Sequence, residues 1–294
     1  MPDQYQQIPI SSQRAVELQN ANELMKGIMI PPRPSILVEV LNEQSKTEPD
    51  LPKIANLISK DVAISAGVLR VVNSSYFALP RKITSIDHAV RLMGVRSVTN
   101  IVTALMLHTA FSDHKGTFMD DFWSSSGNLA AATSLASSRT RHVEKEEGYA
   151  LGLFANCGVP LMLKKFTSYP AIYERARTAT DVAPTAHEDE ELGTAHTLVG
   201  YIMGRSWELP ENVCQSILRH HDTVDYFDGE EDLGEATPYL AVLQLGHFLN
   251  RSLENLPESY EWSLIGESVC RYLGMSERDL ENLKDESAAI FHEK

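Results

Sequence analysis

The residues best equipped for chemistry are histidines. Ala195-His196, the run Leu218-Arg219-His220-His221-Asp222 and a later His247 could face one another across a helical core. Imidazole is a ligand for zinc, iron, nickel and copper, so convergence of His196, His220 and His247 would make a transition-metal site. A second stretch argues the other way. Tyr149 to Gly158 reads as an apolar helix that stops at a glycine, and its end carries Ala155 and Asn156. Alanine has no donor atom, and a neutral amide is a weak ligand where a divalent ion wants carboxylate or imidazole. The competing structural reading of each histidine is that one ring nitrogen satisfies a core hydrogen bond while the ring packs. Cys157, next to a glycine and with no adjoining base, reads as a small apolar side chain and not as a nucleophile.

Composition bounds what such a site could serve. The chain has 294 residues, 43% hydrophobic and 22% charged, enough for a sizeable core in one domain or two packed lobes. Its three cysteines, Cys157, Cys214 and Cys270, form no CxxC pair, which points to free thiols and a reducing, cytoplasmic setting. No apolar run reaches the length of a membrane span, and no membrane partner is expected. Twenty-six basic against 40 acidic residues give a net charge of −14, a field that repels nucleic acid. Basic spots at Arg139, Arg141 and His142, and at Lys164 and Lys165, lack interleaved aromatics and read as solvated faces.

The elements that must position the histidines read as helices throughout. The spacing predicts helices over 11–27, from Ser35 as a cap, after Asp50 and Asp61, over 86–93 and from Val95 to Phe111. Others follow from Phe122 to about Arg141, and over 159–166, 172–179, 194–207, 210–221, 239–253, 262–273 and 276–291. Residues 180–191 and 225–236 are expected to be acidic loops. Gly200 and Gly204, at helical spacing from His196, would let another helix come close. No alternating strand pattern and no repeat is present, so the fold expected is all-α. The organisation expected is an extension over 1–26, an N-terminal helical lobe over 27–115, a second lobe over 116–255 and C-terminal helices over 256–294.

Several ordered motifs carry a resemblance. They are Pro31-Pro32-Arg33-Pro34, Ile58-Ser59-Lys60-Asp61, Val68 to Ser74, Ile83 to Gly94, Glu146 to Leu153, Ala195-His196 with Gly200, Trp207-Glu208-Leu209-Pro210 and His220-His221. Together they resemble the HDOD family, HD-related output domains of bacterial signalling proteins and a degenerate branch of the HD metal-dependent phosphohydrolases. The resemblance implies an HD-domain-like helical fold whose second lobe is the degenerate HD lobe. Carried over residue by residue, the HD ligand positions fall at Ser125, at Ala155 and Asn156, and near His247, and none retains its ligand. The resemblance therefore implies a non-catalytic regulatory domain acting through contacts with signalling proteins or by sensing a small nucleotide-like ligand. No cofactor and no catalytic residue is expected. The vestigial pocket would comprise Ser125, Ala155, Asn156, His196, His220, His221 and His247, with Asn73, Ser74 and Trp207 as candidate ligand or partner contacts. No receiver or cyclic-dinucleotide enzyme segment is recognised, so the input is expected from a separate partner. The rival readings are a metal-dependent phosphohydrolase with a divergent site and a ligand sensor built on the old pocket.

Overall fold

A computed structural model describes residues 30–74, 77, 79–111, 116–227 and 234–292. The helix expected over 11–27 lies outside them. Among the described residues there is no strand. The first five described helices are α1 (Ser35–Gln44), α2 (Leu51–Ser59), α3 (Val62–Val72), α4 (Ile86–Met93) and α5 (Val95–Ala110). Local chemistry accounts for most of their ends. Asp50 accepts from the Lys53 amide at 2.9 Å and Asp61 from the Ile64 amide at 3.0 Å, each satisfying a donor that the first turn leaves unpaired. At α1 the expectation fails. Pro34 is the N-cap, Ser35 is already helical, and no side chain caps this end.

Six helices then build the middle of the chain: α6 (Thr117–Ser137), α7 (Lys145–Phe154), α8 (Val159–Lys165), α9 (Tyr169–Thr178), α10 (Pro184–Leu192) and α11 (His196–Ser206). The rest comprises α12 (Glu211–Arg219), α13 (Val224–Phe227), a 3-10 turn at Gly234–Ala236, α14 (Thr237–Leu253), α15 (Tyr260–Tyr272) and α16 (Glu277–His292). Two expectations are corrected here. Residues 180–191 are mostly helix, because Pro184 sets the first turn and Gly193, at φ 68°, closes the last one. The span 225–236 likewise contains α13 and the 3-10 turn.

The long helix α6 is central. Its Ala and Ser residues are small enough for α7 to approach closely, and a Cβ on Gly152 would lie 2.7 Å from the Ala130 Cα. One apolar core runs from Leu37, Ile54 and Val68 through Val102 and Phe154 to Trp207 and Ile217, so it is continuous across residue 115. A second core lies between α6, α7 and α14, and Trp262, Ile265, Val269 and Leu283 of the C-terminal helices complete it. Burial of these side chains, at about 1.5–3 kcal/mol each, seats α14 and α15 against the helices that carry the histidines.

Candidate functional site: a buried histidine cluster

Four imidazoles meet where α11 begins, α12 ends and α14 passes. His196 opens α11 after the extended Ala195, and His220 is the C-cap of α12 with His221 next in the turn. Close approach of the backbones makes this possible. A Cβ on Gly158 would lie 2.0 Å from the His196 carbonyl oxygen and 2.7 Å from the Gly200 amide, so α8 begins directly against α11. The ring of His220 sits 4.2 Å from that of His221 and 5.5 Å from that of His196, and it stacks on His247 at 5.3 Å. The rings of His196 and His221 are 5.2 Å apart. Ligand nitrogens of His196, His220 and His221 all lie within 4.8 Å of one another. His247 flanks this trio through its stacking on His220.

Each ring of the trio is held from behind. His196 Nδ1 donates to Glu188 Oε2 at 2.8 Å, and the same oxygen accepts from the His196 backbone amide at 2.8 Å. Tyr169 Oη donates to the other oxygen, Glu188 Oε1, at 2.6 Å. His220 Nδ1 donates to the Ile217 carbonyl at 2.8 Å, and His221 Nδ1 to Glu261 Oε1 at 2.8 Å. Gln244 of α14 donates to the His220 carbonyl. All three Nδ1 atoms are thus spent on acceptors, which turns each Nε2 to the opposite side. The Nε2 atoms of His196, His220 and His247 are buried without a protein partner.

Burial pushes the basicity of His220 far below the ordinary imidazole value, and neighbouring His221, His247 and His196 push it the same way. His247 is depressed for the same first reason. Burial raises the Glu188 carboxyl, yet the charge and hydrogen bonds of His196, with the Tyr169 hydroxyl, outweigh it and bring the group below its usual range. The result is a buried carboxylate kept charged by the groups it orients.

The cluster borders a cavity of about 70 Å³. Ser125 and Asn156 line it together with His196, His221 and His247. Ser125 donates to Glu254 at 2.5 Å, and Arg177 pairs with the other oxygen of Glu254 at 2.9 Å. Ala155 is fully buried among the apolar residues facing α14, and neither it nor His220, both expected in the pocket, lines the cavity. Asn73, Ser74 and Trp207 lie elsewhere. The Asn73 amide donates to the Leu69 and Ile83 carbonyls and accepts from the Ile83 amide, each at 2.7 Å, which ties the chain after α3 to its end. Ser74 bonds the Val71 carbonyl, and Trp207 donates to the Pro31 carbonyl at 2.9 Å. Sequence reasoning missed Glu188, Tyr169, Glu261 and Glu254. For Glu188 a signal existed, because Pro184 and Gly193 bracket a helix that puts the carboxylate eight residues before His196.

The sequence model of the HDOD domain matches residues 30–223. The chain belongs to the HDOD domain family. His247 and Glu261 lie C-terminal to the matched segment, so the cluster joins the HDOD segment to the helices that follow it. Among curated proteins, the HDOD chain is 24% identical over 198 residues to an uncharacterised protein of Treponema pallidum, spanning 66% of this chain but only 38% of that one. Among solved structures, it resembles an HDOD domain protein of unknown function from Geobacter sulfurreducens, with a TM-score of 0.70, 22% identity and coverage of 95% and 96% of the two chains. It also resembles a Shewanella amazonensis structure named "Putative phosphohydrolase", with a TM-score of 0.67, 20% identity and 94% of each chain covered. At these identities the structures establish the helical fold. Among the described residues no helix is long and apolar enough to cross a membrane.

Proposed function

We propose that this HDOD domain is a regulatory module of bacterial signalling that hydrolyses no phosphoester and senses a small ligand in the histidine cavity, passing its state to a partner protein. The observation that carries this reading is the corner where an HD enzyme would hold its metal. Ala155 is buried in an apolar cluster, and only the Asn156 amide reaches the cavity. Hydrolysis of a phosphoester by a metal needs ions that polarise the phosphate and activate water. The carboxylates nearest the imidazoles, Glu188 and Glu261, are engaged in orienting rings. The cavity volume of about 70 Å³ also sets the scale of the occupant. Drug-sized ligands fill pockets of roughly 300 Å³ or more, so the occupant expected here is smaller than a nucleotide.

The test is hydrolysis of bis(4-nitrophenyl) phosphate by the purified chain with added manganese. The expected result is no turnover above that of the His220→Ala variant. Turnover in the unmodified chain that disappears in that variant would establish the phosphohydrolase reading instead.

A further inference from the structure

We propose that His196, His220 and His221 bind one divalent transition-metal ion through their Nε2 atoms, with His221 positioned by Glu261 of α15. None of these three histidines occupies a position carried over from the HD ligand set. The inference rests on reading the cavity as a sensing site: His196 and His221 line it, and His220, which does not, joins them through its ring contacts.

Three independent observations support it. First, the ligand nitrogens of the trio lie within 4.8 Å of one another. An ion about 2.1 Å from each nitrogen requires nitrogen separations of about 3 to 3.5 Å, so closure takes side-chain rotations of order 1 Å. Second, the Nε2 atoms of His196 and His220 are buried and have no protein partner, although a buried polar atom left unpaired costs about 1–3 kcal/mol. Third, every Nδ1 of the trio is held by an acceptor: the carboxylates of Glu188 and Glu261 and the Ile217 carbonyl. Metal-bound histidines are oriented in this way, with the back nitrogen donating to a carboxylate or carbonyl that also makes the front nitrogen more basic.

The donor set selects the ion. An all-imidazole site favours zinc, iron, cobalt, nickel or copper over magnesium or calcium, which require oxygen ligands. The two carboxylates behind the rings balance a 2+ charge in a buried site. Because Glu261 sits on α15 and holds His221, the ion would be sensed by the C-terminal helices, outside the segment that the HDOD family shares. That arrangement makes seating of α15 and metal occupancy one linked equilibrium.

The experiment uses the full chain without a histidine tag, stripped with a chelator and then titrated with Zn2+ or Co2+. The expected result is one equivalent retained through desalting by elemental analysis, with a visible Co2+ absorption band of nitrogen coordination. His196→Ala and His221→Ala should each weaken binding at least 100-fold. Glu261→Gln keeps the size of the positioning side chain and should weaken it 10- to 100-fold, with circular dichroism showing an intact fold. The exposed His88→Ala is the control and should bind as the unmodified chain does. Failure to retain metal, or retention unchanged in both Glu261→Gln and His221→Ala, overturns the inference. The two readings fail separately. Absence of metal together with absence of hydrolysis removes only the metal site, whereas metal-dependent turnover removes the non-hydrolytic reading.

Discussion

Replacing Glu188 by alanine should cost about 4 kcal/mol of folding stability. The side chain is fully buried and accepts three hydrogen bonds, from the Tyr169 hydroxyl, the His196 amide and His196 Nδ1. Truncation strands all three donors in a buried position. Each stranded donor costs about 1–3 kcal/mol, and breaking a buried charge-assisted pair costs about 3–5 kcal/mol in total, which bounds the sum. The thermal midpoint should fall by about 8–16 °C, given roughly 2–4 °C per kcal/mol for chains near this size. Urea unfolding followed by tryptophan fluorescence reads the free energy directly. Tyr169→Phe removes one donor and leaves the carboxylate its two bonds to His196, so it should cost about 1–2 kcal/mol. The double variant should cost less than the sum of the singles by about 0.5–3 kcal/mol, because the two residues share one bond. A loss below about 1 kcal/mol for Glu188→Ala, or strict additivity of the pair, would refute the account of a carboxylate that organises the back of the cluster.

Gly158→Ala places a methyl group 2.0 Å from the His196 carbonyl oxygen, a backbone atom that cannot rotate away. A destabilisation of about 2–3 kcal/mol is expected, and an unchanged urea midpoint would contradict the close approach of α8 and α11. Asn73→Ala releases two hydrogen bonds to Ile83 and one to the Leu69 carbonyl of α3 and should cost about 1–3 kcal/mol, which the same titration measures. Glu43 tests the pH dependence. Hydrogen bonds from Lys46 and Lys53 lower its carboxyl from the ordinary 4.5 to about 2. A folded value below the unfolded one means that the unfolded chain binds more protons in this window. The contribution is therefore complete above about pH 4.5 and is lost as pH falls toward 2. Glu43→Gln should flatten the stability profile across that interval, and a profile parallel to that of the unmodified chain would remove the assignment.

Helices announced themselves wherever the signal was local. The caps Asp50 and Asp61, the stop at Gly94 and the apolar spacing of α5 and α14 act within a few residues of where they appear, and the elements form where the periodicity puts them. The segment over 180–191 failed that test because its helix has no apolar stripe. Its one buried side chain is Glu188, which is stable there only because His196 and Tyr169 satisfy it. A pattern based on hydrophobicity cannot register a helix held by a buried carboxylate. Ser35 misled for a related reason, since a residue suited to capping was displaced into the first turn by the proline before it.

The cluster divides the same way. Residue types and their order along the chain located His196, His220, His221 and His247, and of the pair Ala155 and Asn156 only Asn156 lines the cavity. Which nitrogen of each ring faces inward was not legible. That depends on Glu261, 40 residues beyond His221, and on the Tyr169 hydroxyl, which reaches Glu188 across 19 residues. Sequence alone located the imidazoles and left the carboxylates Glu188, Glu254 and Glu261 unseen. Only the tertiary structure decided that ligand nitrogens of three rings lie within 4.8 Å of one another, because orientation comes from hydrogen-bond acceptors that packing, and not chain adjacency, brings behind them.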